Sequence, residues 1–241
     1  CERISKEIQN ILGLKSLYYN GDVDTIDREK IQQQFFSGEI DIICATSAFG
    51  MGIDKEDVRF VIHYQLPESP EMYLQEVGRV SRDKQLGVAI LLYESGDENI
   101  HYYFQNQAKI DPATIQYIYN HYDTLNEFHM ENALEKSIYY FAKTRTPVEF
   151  VYQKLKNHQL EQTRQLNYMM DYIFNNGCKR KFLLDYFNEE KKIEYPCCSY
   201  CHPEFIQEIL NRPSVTLKEQ QKQTGGWEQV ITKIFKNISV S

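Results

Sequence analysis

The stretch Ala45-Thr46-Ser47-Ala48-Phe49-Gly50-Met51-Gly52-Ile53-Asp54 leaves the end of the apolar run Ile40–Ala45, and Gln75-Glu76-Val77-Gly78-Arg79-Val80-Ser81-Arg82-Asp83 follows it. An apolar run bounded by turn signals suits a strand buried on both faces of a sheet. Phe60–Tyr64 and Val88–Tyr93 repeat that character, and Ser16–Asn20 reads as a shorter strand. Helical patterns lie among them: residues 2–12 with the stripe Ile4, Ile8, Ile11 and Leu12, then Thr25–Phe36, then a helix opened by Pro70 that turns Tyr73, Val77 and Val80 inward. Strands alternating with helices predict an α/β layer with a parallel sheet. Ligands of such sheets bind beyond the carboxyl ends of the strands, where the Thr46 loop lies.

Both stretches carry groups suited to phosphate. Thr46 and Ser47 leave a buried strand with hydroxyls and backbone N–H groups that can donate to a phosphodiester; the plainer alternative is a turn-stabilising pair of hydroxyls. Arg79 and Arg82 stand three residues apart on a segment predicted to be helical, so both side chains approach one face, with Gln75 one turn earlier. A planar guanidinium donates several hydrogen bonds at once and neutralises charge developing on a transferring phosphoryl group. No G-x-x-x-x-G-K-[ST] stretch occurs, so the chain supplies no phosphate cradle and no hydroxyl for Mg²⁺, and by itself it should not hydrolyse ATP.

These motifs resemble those of the RecQ-type superfamily-2 DNA helicases, especially the short bacterial members. DEAD-box helicases carry a His-Arg pair where this chain has Gln75-Glu76, and they lack the Phe49–Ile53 wording. The resemblance covers roughly residues 1–203. It implies a second RecA-like motor domain over residues 1–108, with Arg79 and Arg82 acting at the γ-phosphate and Gln75 and Asp54 holding the nucleotide or coupling it to the cleft. It also implies that Thr46, Ser47 and Arg28 lie along the DNA backbone, although Arg28 in its Asn20-Gly21-Asp22 motif has the alternative of a salt bridge within its own helix. Two departures stand out: Ser81 and Lys84 occupy positions on either side of Arg82 where glycine is usual.

From about Ile110 the pattern changes to aromatic-rich helix. Residues 109–165 read as a helical connector or accessory segment, and Tyr117, Tyr119 and Tyr122 read as core in preference to base-stacking platforms. Residues 166–203 read as a helical hairpin broken at Asn175-Asn176-Gly177, with glycine as the C-cap, and 204–241 as a C-terminal tail. Four of six cysteines cluster in this hairpin, at 178, 197, 198 and 201. Clustered cysteines in an intracellular protein suit a metal better than disulfides. Cys178, Cys197, Cys198 and Cys201 resemble the family's structural zinc site, in which four thiolates leave no open position. The family separates its second and third cysteines, whereas Cys197 and Cys198 are adjacent. Both can ligate only if the backbone kinks; otherwise His202 is the substitute.

The net charge of −7 is unevenly spread. Residues 1–140 hold 12 Lys+Arg against 23 Asp+Glu, while residues 141–192 hold 10 against 6. Lys179-Arg180-Lys181, directly after Cys178, is either a solvated face or a clamp for a phosphate backbone. No apolar run approaches the roughly 20 residues that span a bilayer. The chain opens on Cys1 and lacks a first strand, so it reads as a cytoplasmic fragment whose missing N-terminal RecA-like domain would bring the site for ATP and Mg²⁺. The competing readings are a non-catalytic DNA-binding or scaffold protein with a degenerate motor half, and, more weakly, an RNA helicase.

Overall fold

A computed structural model describes residues 1–49, 55–107, 109–192, 197–205 and 207–208. The chain divides into two compact units. The first comprises Cys1–Val61, Glu76–Ala89 and the described residues from Asn176 on; the second comprises Ile62–Gln75 and Ile90–Asn175.

The first unit opens with α1 (Glu2–Leu12), which Gly13 ends in the left-handed conformation at φ 67°. Glycine carries no steric penalty there, and its N–H caps the Gln9 carbonyl at 3.1 Å. Strands β1 (Ser16–Tyr19) and β2 (Ile42–Ala45) pair in parallel with Ser16 opposite Ile42. Between them α2 (Thr25–Phe36) is started by Asp24, whose side chain accepts from the Ile26 and Asp27 N–H groups. The residue that α1 buries most is Ser5, and its hydroxyl bonds Ser16 Oγ at 3.0 Å. Ile11, predicted for the apolar stripe, is exposed. β2 is likewise less buried than predicted: Ile42, Ile43 and Cys44 are half-buried and Ala45 is exposed.

Strands β3 (Phe60–His63) and β4 (Val88–Leu91) form a second pair. The Val88 N–H donates to the Arg59 carbonyl at 2.8 Å and the Leu92 N–H to that of His63 at 3.0 Å, so they run in the same direction. The parallel α/β character predicted from the strand pattern is present, built among the described residues as two two-stranded sheets. Helix α3 (Pro70–Val77) begins at Pro70 as predicted but stops before Gly78.

In the second unit, α4 (Asn99–Gln107), α5 (Pro112–His121), a 3-10 turn (Glu127–His129), α6 (Ala133–Lys143) and α7 (Val148–Phe174) follow β4. Ile115, Ile118, Met130, Ile138, Ala142 and Val151 form one buried cluster. Each large aliphatic side chain sealed there contributes about 1.5–3 kcal/mol relative to exposure. Tyr119 and Tyr122 pack against it, whereas Tyr117 is exposed and lies against the His121 ring. α7 runs unbroken through residue 166, where the sequence suggested a new helix. Its C-cap is Asn175 and not Gly177, and α8 (Lys179–Tyr186) follows.

Candidate phosphate-facing loops and thiol cluster

Because α3 ends at Val77, Arg79 and Arg82 sit in a turn and not on a shared helical face. Two backbone bonds tighten the exit from the helix, Arg79 N–H to the Glu76 carbonyl at 3.2 Å and Val80 N–H to that of Val77 at 3.0 Å. Arg79 is half-buried; Arg82 is exposed, with Nε donating to the Gly78 carbonyl at 3.4 Å. Gln75 is exposed in the last turn of α3. The two positions where glycine is usual, Ser81 and Lys84, both adopt φ 63°. They take the left-handed path at a cost of roughly 1–2 kcal/mol each.

That path is held by a partner the sequence did not single out. Arg59, just ahead of β3, donates Nη1 to Asp83 Oδ1 at 3.0 Å and Nη2 to Oδ2, with both side chains largely shielded. The Arg59 guanidinium holds the Asp83 carboxyl below its ordinary value, chiefly through this hydrogen bonding. A lone arginine before an apolar strand has no spacing signature, so only tertiary contact discloses it. Gly87 lies close to the same loop: a Cβ there would stand 1.9 Å from Val80 Cγ1.

At the carboxyl end of β2, the Thr46 N–H donates to the Tyr19 carbonyl at 3.1 Å, continuing the ladder. Thr46 Oγ1 accepts from the Ala48 N–H at 3.4 Å, and the Phe49 N–H closes the turn onto the Thr46 carbonyl at 3.0 Å. Phe49 anchors the loop edge-on against Tyr19 and Phe35, at centroid distances of 4.9 and 5.8 Å. Thr46 and Ser47 are exposed. Asp54 and residues 50–53 lie outside the described residues. Among the described residues Arg28 forms no salt bridge within its helix: Nε donates to the Val23 carbonyl at 2.6 Å and Nη2 to that of Gly21 at 2.5 Å. It therefore braces the Asn20-Gly21-Asp22 turn.

The four clustered thiols converge. The Sγ atoms of Cys178, Cys197, Cys198 and Cys201 all lie within 4.8 Å of one another. Cys178 to Cys197 is 3.4 Å and Cys178 to Cys198 is 4.0 Å. Zinc–thiolate bonds of about 2.3 Å in a tetrahedron imply sulfur–sulfur edges of about 3.8 Å, so this donor set fits the metal. Adjacent Cys197 and Cys198 both face inward. His202 accepts the Cys197 N–H on Nδ1 at 3.3 Å. Cys178 caps α8 and accepts the Lys181 N–H at 3.4 Å, while Cys198 accepts that of Lys179 at 3.4 Å. Burial raises the Cys198 thiol, but backbone N–H groups of Cys201, Lys179 and Tyr200 outweigh it and bring it to about 6. Burial and then the Cys178 hydrogen bond push Cys197 strongly upward, and contact with Cys178 leads in raising Cys201 to about 11.

Lys179 is half-buried, and burial lowers its ammonium below the ordinary value; Lys181 is exposed and pairs with Asp185 at 2.9 Å. Among the described residues no helix is long and apolar enough to cross a membrane.

Comparisons with known proteins agree with both halves of this picture. Residues 1–84 match the helicase conserved C-terminal domain family, and residues 129–202 match the RecQ zinc-binding family. A probable ATP-dependent DNA helicase RecS of Bacillus subtilis is 30% identical over 220 residues, covering 83% of this chain and 44% of that protein. The ATP-dependent DNA helicase RecQ of Haemophilus influenzae is 30% identical over 200 residues, covering 83% of this chain and 25% of its own length. ATP-dependent DNA helicase Q-like 4B of Arabidopsis thaliana is 47% identical over 97 residues, covering 40% of this chain and 8% of that protein. The chain thus spans less than half the length of these relatives.

Proposed function

The chain belongs to the RecQ-type superfamily-2 helicases, and from that membership we propose that it is the second motor domain and zinc-binding region of an ATP-dependent DNA helicase that unwinds duplex DNA in the 3′ to 5′ direction. The observation that carries the reading is the joint presence of the arginine-bearing turn at 79–82 and the four converging thiols at 178–201. ATP and Mg²⁺ bind between this domain and an N-terminal RecA-like domain of the same polypeptide, which supplies the phosphate cradle. Arg79 and Arg82 point their charge at the γ-phosphate, where developing negative charge is greatest, and Gln75 and Asp54 hold the nucleotide.

DNA enters as a single-strand/duplex junction. Thr46 and Ser47 offer exposed hydroxyls to the backbone; Arg28 acts mainly by shaping the neighbouring turn, since two of its donor nitrogens are spent on carbonyls. Lys179 and Lys181 extend the track along α8. Contacts of this kind position a strand without reading its sequence. Cys178, Cys197, Cys198 and Cys201 would hold one Zn²⁺, which would brace the hairpin as a structural ion. Four thiols kept free of disulfides suit the cytoplasm. The corresponding layout is a motor domain over 1–108, a helical segment over 109–165, a zinc-binding hairpin over 166–203 and a tail.

The test is ATP turnover by the complete polypeptide with and without single-stranded DNA, alongside this chain alone. Arg79→Ala and Arg82→Ala should each lower DNA-stimulated kcat by about 10³-fold or more, the scale of a lost arginine finger, with nucleotide binding little changed. This chain alone should show no turnover. Near-normal kcat in both variants would remove the assignment.

A further inference from the structure

We propose that Arg59 and Asp83 are positioning residues that lock the arginine-bearing turn against the segment leading into β3; this rests on the role given above to Arg79 and Arg82.

Asp83 directly follows Arg82 and lies between two residues, Ser81 and Lys84, at φ 63°. Left-handed backbone at residues with side chains persists only where the surroundings over-determine it. Here they do so from one side. The Ser81 N–H donates to the Val58 carbonyl at 3.0 Å and the Asp83 N–H to that of Glu56 at 3.3 Å. The Arg59 fork then takes both carboxylate oxygens of Asp83, and Oδ1 also accepts the Gln85 N–H at 3.0 Å. Residues 81–83 are thereby tied to 56–59 by two backbone bonds and a bidentate ion pair.

A fork of this kind fixes the plane and direction of both partners, which a single lysine contact does not. The pair spans 24 residues and, among the described residues, joins two segments that share no strand pairing at this point. Its product is the path of the backbone on both sides of Arg82. Charge stabilisation at a phosphoryl group depends on placement, and an error of about 1 Å can cost about 10²-fold in rate.

The experiment measures DNA-stimulated ATP turnover by the complete polypeptide, with kcat and KM determined separately, and melting temperature and zinc content for every variant. Asp83→Asn keeps the shape but loses the charge; Arg59→Lys keeps the charge but loses the fork. Each should lower kcat about 10²-fold while KM for ATP moves by no more than about twofold, because placement in the transition state is lost and ground-state binding is not. The double variant should be no worse than the poorer single one, as for two residues acting as a unit. Normal kcat in both singles, with Arg79→Ala and Arg82→Ala still disabling, would overturn the clamp alone. So would a loss of kcat that merely follows a lowered melting temperature. Normal turnover in Arg79→Ala and Arg82→Ala would instead defeat the proposed function, and the clamp with it.

Discussion

Replacing Cys198 by serine is the perturbation whose magnitude the thiol cluster sets best. Cys198 Sγ lies 4.0 Å from that of Cys178 and accepts the Lys179 N–H at 3.4 Å, so it joins the metal site to the first turn of α8. Structural zinc in small modules binds with about 10–16 kcal/mol, and that binding energy is folding energy. An equal share for one of four thiolates is about 3 kcal/mol, or roughly two orders of magnitude in affinity. Elemental analysis after dialysis against a weak chelator should therefore find about one zinc per wild-type chain and well below one for Cys198→Ser. Limited proteolysis should cut the segment around α8 faster in the variant. Cys197→Ser should behave alike, because both neighbouring thiols face the cluster. His202→Ala should keep its zinc, since the ring accepts a backbone N–H at 3.3 Å while the converging donors are the four thiols. Full zinc in Cys197→Ser or Cys198→Ser, together with its loss in His202→Ala, would refute the four-thiolate assignment.

Three further outcomes follow from the same geometry. Lys84→Gly removes an exposed side chain from a left-handed backbone position, so it should stabilise the protein by about 1 kcal/mol, raising the melting temperature by about 2–4 °C. The Asp83 carboxyl is held below its ordinary value by Arg59, so the stability it contributes is present above about pH 3.9 and is lost as pH falls through the folded value; the difference between wild type and Arg59→Ala in denaturant melts should shrink at acid pH. Removing Lys179 or Lys181 should flatten the salt dependence of binding to a single-strand/duplex junction by about 0.7 for each lysine–phosphate pair removed, without changing sequence preference; an unchanged slope with zinc intact would take α8 off the DNA path.

Much of this arrangement was legible in the sequence because it is written in local pattern. The four strands lie within a residue or two of their apolar runs, and Pro70 starts its helix, since burial period and ring geometry act over a few residues. Features set by distant partners were not legible. A helix extended through Arg82 is what the sequence alone suggests, yet the chain leaves α3 at Gly78 and follows a path secured by Arg59, 24 residues away from Asp83. Ile4, Ile8 and Leu12 of the apolar stripe are half-buried, but the burial of Ser5 against Ser16 is settled by one hydroxyl pair that periodicity does not record. α7 begins at Val148, well before residue 166, because the polar stretch through its middle hides a continuous helix from hydrophobic periodicity. Adjacent Cys197 and Cys198 can both ligate only if the backbone kinks between them; their convergence depends on a local path that spacing does not record.

The most direct measurement is strand separation by the complete polypeptide on duplexes carrying either a 3′ or a 5′ single-stranded tail, with ATP and Mg²⁺ present or withheld. Unwinding of the 3′-tailed substrate, dependent on ATP and abolished by Arg82→Ala, is the predicted result. Unwinding confined to the 5′-tailed substrate, or ATP-independent DNA binding with no strand separation on either, would contradict the account.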